Sequence, residues 1–213
     1  LTLEGNGVTL TGADPLKVEW ESLSENLQRV KLPTPQWGRH LLVVNGKKVH
    51  MNRRSVHPKE FPPVEELKDG EFRWDDIDDK EGWLTLKGST ENLEWSVRPN
   101  GIGTGGNLSD ITVRNLNARH FLNDGFNIHG NARALYFENI TGYENFDEGF
   151  SAHDTCEAWI KDSRFWKNEN AIADVNTADT YYENCEFSDS DSVEVLLSGG
   201  RHSLSNCRST HPT

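Results

Sequence analysis

Between Asn107 and Val175 the apolar residues come in short alternating stretches, such as Ile111 with Val113 and Phe126 with Ile128, separated by Asn, Asp and Gly. Alternation at period two bounded by turn formers predicts short strands and tight turns, and no amphipathic window is long enough to predict a competing helix. The pattern then repeats. "NLSDITVRNLNARHFLNDGFNIHG" (Asn107 to Gly130) and "NARALYFENITGYENFDEGFSAHD" (Asn131 to Asp154) align without a gap at a spacing of 24 residues. "AWIKDSRFWKNENAIADV" (Ala158 to Val175) is a third copy, "TYYENCEF" a fourth, and "HSLSNC" begins a fifth.

One such copy cannot bury its own apolar face, whereas stacked copies place equivalent residues about 4.8 Å apart and merge the apolar ones into continuous columns. One column reads Asn115, Asn139, Asp162, Asn184 and Asn206, an amide ladder able to pair side chain to side chain. The next reads Leu116, Ile140, Ser163, Cys185 and Cys207. The pattern predicts an all-β parallel β-helix (solenoid) over residues 101–213, with an early coil over residues 1–15 in "LEGNGVTLTG".

Residues 16–100 do not repeat. "LLVVNGKKVHM", with an Asn45-Gly46 hairpin signal, "GEFRWDD" and "EGWLTLKG" predict a β-rich insertion, broken by the Pro-rich "HPKEFPPVEEL". Trp74, Trp83 and Trp95 are expected to fill its own small core. A strand-rich insertion between two coils is the expected arrangement, with a separate flexible domain as the alternative.

Composition narrows the partners. Net charge is -12, so nucleic acid and anionic membranes would be repelled, and a polyanion would need bridging cations. No apolar run approaches the roughly 18 to 20 residues of a membrane span. Seven Trp and nine Phe speak against disorder, although mean hydropathy is -0.71. Cys156, Cys185 and Cys207 lack both the density of a disulfide scaffold and the paired short spacings of a zinc site. The first residues have neither the basic start nor the apolar stretch of a signal peptide, and the chain is expected to be a piece of a longer protein.

The two phrases "LNDGFNIHG" and "FDEGFSAHD" carry the candidate chemistry. As adjacent turns of one solenoid they form an acidic column, Asp124, Glu148 and Glu169, and a strand-surface column, His129, His153 and Asp174. In that frame Phe126, Ile128, Phe150, Ala152, Ala171 and Ala173 face inward, and Asn127, Ser151 and Ile172 outward. Acids one rung apart stand about 5 Å from each other and acids two rungs apart about 9 to 10 Å, which bracket the carboxyl spacings of retaining and inverting glycosidases. Like charges that close raise one pKa, which supplies a proton donor near neutral pH. The same acids also serve as ordinary turn residues, and the histidines as a hydrogen-bonded stack. His129, His153 and Asp174, or His153 with Asp154, form a possible divalent-cation set. Asn127, Asp154, Lys161, Trp159 and Trp166 are candidate substrate contacts, and Tyr181 and Tyr182 add to an aromatic content too large for one thin interior.

Period, amide ladder and the acid-Gly-Phe turn together resemble the secreted right-handed parallel β-helix proteins of the pectate-lyase-like superfamily, many of which degrade or modify polysaccharides. The likeness covers Gly101 to Thr213 and the early coil. It implies secretion or a periplasmic location, a polysaccharide or oligosaccharide partner, and glycoside hydrolysis by carboxylate acid–base catalysis. A non-catalytic carbohydrate-binding or surface-adhesion module is one alternative. The other is a calcium-dependent polysaccharide lyase whose base would come from Lys161, Arg164 or Lys167. "NDG" at Asn123 to Gly125 resembles the first polygalacturonase motif, but the paired-aspartate and Gly-His-Gly motifs of that family are missing.

Overall fold

The computed structural model describes residues 1–49 and 63–210. Most of the Pro-rich segment and the last three residues lie outside the described residues. The chain divides into two compact units, Leu1–Gly12 together with the chain from Pro99 on, and Ala13–Arg98.

The first unit is a parallel β-solenoid of about five turns. Strand Asn107–Arg119 pairs in parallel with Thr2–Thr11 on one side and with Asn131–Tyr143 on the other. In the third turn that long strand is replaced by two, Glu157–Lys161 and Arg164–Trp166, which define a first and a second face. Asp179–Glu183 with Glu186–Ser188, then His202–Ser205 with Arg208–Thr210, continue both faces. A separate five-stranded sheet makes the third face, from Ile102–Gly103 through Phe126–Ile128, Glu148–Ala152 and Asn170–Asp174 to Val193–Leu197.

Corners between the faces are built from residues in the left-handed region. Asn115, Asn139, Asp162, Asn184 and Asn206 all have φ between 50° and 55°, a conformation that short polar side chains tolerate better than others. Their side chains form the expected ladder. Asn139 donates to Asn115 Oδ1 at 2.8 Å, Asn184 to Asp162 at 2.9 Å and Asn206 to Asn184 at 2.7 Å. Gly125 and Gly149 answer a different demand. A Cβ on Gly149 would stand 2.7 Å from both the Ala171 carbonyl oxygen and Asn168 Nδ2, so close packing of turns requires glycine there.

Phe126, Phe137, Phe150, Phe165 and Phe187 fill the interior together with Tyr182, and all six are buried. Phe150 sits centrally, within 5.1 to 6.4 Å, ring centroid to centroid, of Phe126, Phe137, Phe165 and Tyr182.

Register in the third turn departs from expectation by one residue. Phe126 pairs with Phe150 at the 24-residue spacing, but Leu135 pairs with Ala158, Thr141 with Arg164 and Phe150 with Ile172, so one residue is lost before the first face and another between the second and third. A one-residue slip exchanges the two faces of a strand. Ile172 therefore faces the core, Ala173 joins the Asn127 and Ser151 column, and Asp174 lies under Ala152 in the interior, fully buried.

The second unit holds two four-stranded antiparallel sheets. Ala13–Pro15, Leu93–Ser96, Leu42–Val44 and Lys47–Val49 form one, and Glu21–Ser24, Leu27–Pro33, Glu81–Lys87 and Phe72–Asp76 the other. Both contribute to one core around Leu42, Phe72, Trp74, Leu84 and Trp95. The Asn45-Gly46 hairpin has positive φ at both residues, 51° and 76°, as a two-residue primed turn demands. Trp83 is not in that core. It alternates with buried Leu84 on its strand and lies half-buried under the Arg29 guanidinium, 4.3 Å from the ring centroid.

Candidate functional site

The corner where the second face gives way to the third gathers the acids. Asp124, Asp147 and Glu148 each place a carboxyl oxygen within 4.8 Å of the others. Asp124 comes from one turn and Asp147 and Glu148 from the next. Pairing of Phe126 with Phe150 and of Glu148 with Asn170 puts Asp124, Glu148 and Asn170 in one column. Glu169 instead donates its backbone N–H to the Asp147 carbonyl at 2.7 Å and belongs to the Asp147 column. The expected third acid of the ladder is thus Asn170, whose Nδ2 donates to Glu148 Oε1 at 2.8 Å.

Asp124 is only 1% exposed and does not sit on the surface as expected. Its Oδ1 accepts the Glu148 backbone N–H at 3.0 Å and its Oδ2 accepts the Ser151 hydroxyl at 2.6 Å. Burial pushes its carboxyl up to about 6. Glu148 is driven much further upward, first by burial and then by the charges of Asp124 and Asp147. Both shifts run upward, so burial and mutual repulsion favour a proton held by the pair over full ionisation. Asn127, in the Ser151 column, donates to Asn100 Oδ1 at 3.2 Å, as does Asn123 at 3.0 Å.

At the other end of the third face, His129 and His153 stack with ring centroids 4.2 Å apart and planes 1° from parallel. Burial and the neighbouring His129 lower the His153 pKa. Asp154 turns back to the preceding turn, accepting the Gly130 N–H at 2.9 Å and standing 3.3 Å from His129 Nδ1. Ring nitrogens bind metals in the ring plane, so cofacial rings cannot share one ion between them. Asp174 is also absent from this column. Its Oδ1 accepts the Ala152 N–H at 3.0 Å and its Oδ2 the hydroxyls of Thr180 and Tyr182 at 2.7 and 2.8 Å. Burial raises its carboxyl to about 6. The expected catalytic and metal-binding roles of Asp174 are overturned by its place in the core.

The expected sugar contacts are dispersed over three faces. Trp159 and Lys161 lie on the first face, where Lys161 pairs with Glu183 at 3.3 Å. Trp166 ends the second face, stacked on Tyr143 at 4.6 Å, just before the acidic corner. Tyr182 is a core residue. Of the three cations considered as a lyase base, Arg164 is paired with Glu186 and Lys167 stands 3.8 Å from Glu144. Among the described residues the acidic corner is the one cluster of ligating groups able to hold a cation. Both Asp124 oxygens there already accept hydrogen bonds, as does Glu148 Oε1.

Asp147, Ser151 and Asn170 escaped the sequence reading. The doubled acid of "FDEGF" was the available signal for Asp147. Ser151 and Asn170 carried none, because their roles depend on the exact register.

No protein-family model and no curated protein sequence matches the chain. Among solved structures the fold is similar to that of XylC in complex with xylose, with a TM-score of 0.58 and 9% identity, over 90% of this chain and 50% of that one. The likeness is one of fold, and the chain spans about half the length of XylC. No helix among the described residues is long and apolar enough to cross a membrane.

Proposed function

We propose that this β-helix acts on carbohydrate and hydrolyses glycosidic bonds at the corner formed by Asp124, Asp147 and Glu148. The observation that carries the reading is the convergence of three carboxyl groups from two turns within 4.8 Å. Glycoside hydrolysis needs one carboxyl that still holds a proton and a second that attacks the sugar or activates water. Glu148 is the proton donor, since burial and neighbouring charge keep it protonated. Asp147, less buried than Asp124, is the second catalytic group. Asp124 is a positioning residue: its negative charge raises Glu148, and its hydrogen bonds to Ser151 and to the Glu148 backbone fix the corner. The short separation favours the retaining course, with Asp147 as nucleophile. His129, His153, Asn127 and Asp154 stand along the same face as substrate contacts.

A non-catalytic carbohydrate-binding module is the second reading, favoured by the complete hydrogen bonding of Asp124. Incubation with neutral and acidic polysaccharides, followed by an assay for new reducing ends, separates the two. Cleavage of any member supports the hydrolase, and binding without cleavage of any member supports the module.

A further inference from the structure

The first face carries a feature that the acidic corner does not use. Tyr136, Trp159 and Tyr181 occupy one outward column, and their rings stack at 5.1 and 5.2 Å with planes 19° and 18° apart. Those separations are close to the rung spacing of about 4.8 Å, so the ring faces look along the solenoid axis and the ring edges look outward. The column then stops being aromatic. Tyr181 pairs with Ser203, and no ring among the described residues stacks on the far side of Tyr181. The neighbouring outward column runs Glu138, Lys161, Glu183 and Ser205. Between the columns lies a trough of about 390 Å³ lined by Tyr136, Trp159, Tyr181, Lys161, Glu183 and Ser203, within the roughly 300 to 1,000 Å³ of small-molecule sites.

We propose that this trough is a second carbohydrate-binding site, in which one sugar ring of a neutral oligosaccharide lies on the open face of Tyr181 over Ser203. It is independent of cleavage at the acidic corner. A sugar presents an apolar C–H face and a rim of hydroxyls, which match an aromatic ring face beside serine hydroxyls and a carboxylate. Charge selects against the alternatives. Lys161 is already paired with Glu183, Glu138 is exposed, and the chain carries a net charge of -12, so a phosphate-bearing or acidic ligand would be repelled. Width selects too: replacing Tyr136, Trp159 or Tyr181 by a smaller residue would interrupt the stack, whereas the step down to serine supplies the space of one further ring.

Cellotetraose and xylotetraose are the probes, titrated against the whole chain and its Glu148→Gln variant by intrinsic tryptophan fluorescence, with Trp159 next to Tyr181 as reporter. Binding should persist in Glu148→Gln, weaken at least tenfold in Tyr181→Ala and disappear in Ser203→Tyr, whose ring would occupy the proposed place. Folding of each variant is checked by circular dichroism, and the Ser203 variant, altered at an exposed position, keeps the test valid if Tyr181→Ala does not fold. Absence of binding by either probe, or binding that Ser203→Tyr leaves intact while Glu148→Gln removes it, would overturn the proposal. The latter result would leave the acidic corner standing as the sole sugar site.

Discussion

Ser151 donates its hydroxyl to Asp124 across one rung of the solenoid, at 2.6 Å, and thereby ties the buried acid of one turn to the strand that carries Glu148 in the next. The bond keeps Asp124 beneath Glu148, where its charge acts on the proton that Glu148 holds. Replacing Asp124 by Asn preserves shape and removes charge, so the Glu148 pKa falls. The alkaline limb of the pH–rate profile should then move toward acid by about one unit or more. An unmoved limb would remove Asp124 from the electrostatics of the site.

Asp174 gives a stability prediction of opposite origin. Its folded pKa, about 6, lies above its ordinary value of 3.8, so the folded chain retains a proton that the unfolded chain has released. Its contribution is greatest below about pH 4 and is lost as pH rises through about 6, a change of about 3 kcal/mol. Chemical denaturation at pH 4 and pH 7 should show that difference shrinking in Asp174→Asn. Asp174→Ala, which removes the acceptor of the Tyr182 hydroxyl while Thr180 keeps His202 Nδ1 at 2.8 Å, should cost about 2 to 4 kcal/mol at pH 4 and less at pH 7.

His153 titrates in the other sense. Burial and His129 depress its pKa below the ordinary 6.5, so the unfolded chain takes up the proton first. Stability from this residue is present above about pH 6.5 and is lost as pH falls below it. His153→Phe, which keeps a ring on the His129 stack, should flatten that acid-side loss in thermal unfolding between pH 7 and pH 5.

Phe150 tests the packing. It touches four other aromatic rings, drawn from its own turn, from both adjacent turns and, through Tyr182, from the turn beyond. Phe150→Ala should lower unfolding free energy by about 3 to 5 kcal/mol, measured by denaturant titration.

The solenoid was legible because its period is carried by residues whose conformation is demanding. Asn115, Asn139, Asp162, Asn184 and Asn206 must adopt positive φ, and few residue types do so at low cost. The acidic corner was only half legible. Glu148 and Asp124 stand in the repeated phrase, but Asp124 is held inside by Ser151, a residue with no local signature. Asp174 failed for a sharper reason. The expected frame allows for one lost residue; the second, lost before Asn170, shifts the strand by one and exchanges its faces, and alternation alone cannot locate a missing residue in a turn. Trp83 shows the same limit in the second unit, where an arginine covers an aromatic ring that composition would assign to the core.

The retaining course has its own readout. With any cleaved substrate, proton NMR of the first product should show the anomeric configuration of the parent bond, as a carboxyl pair at short separation requires. An inverted first product would move the second catalytic group away from Asp147.

The most direct measurement is the rate of reducing-end release by the parent chain and by Glu148→Gln on the same polysaccharide, with circular dichroism confirming that the β-helix is retained. A loss of about a hundredfold or more in the variant is the predicted result, as general acid catalysis contributes on that order. Equal rates in the two proteins, both folded, would contradict proton donation by Glu148 and the acidic corner with it.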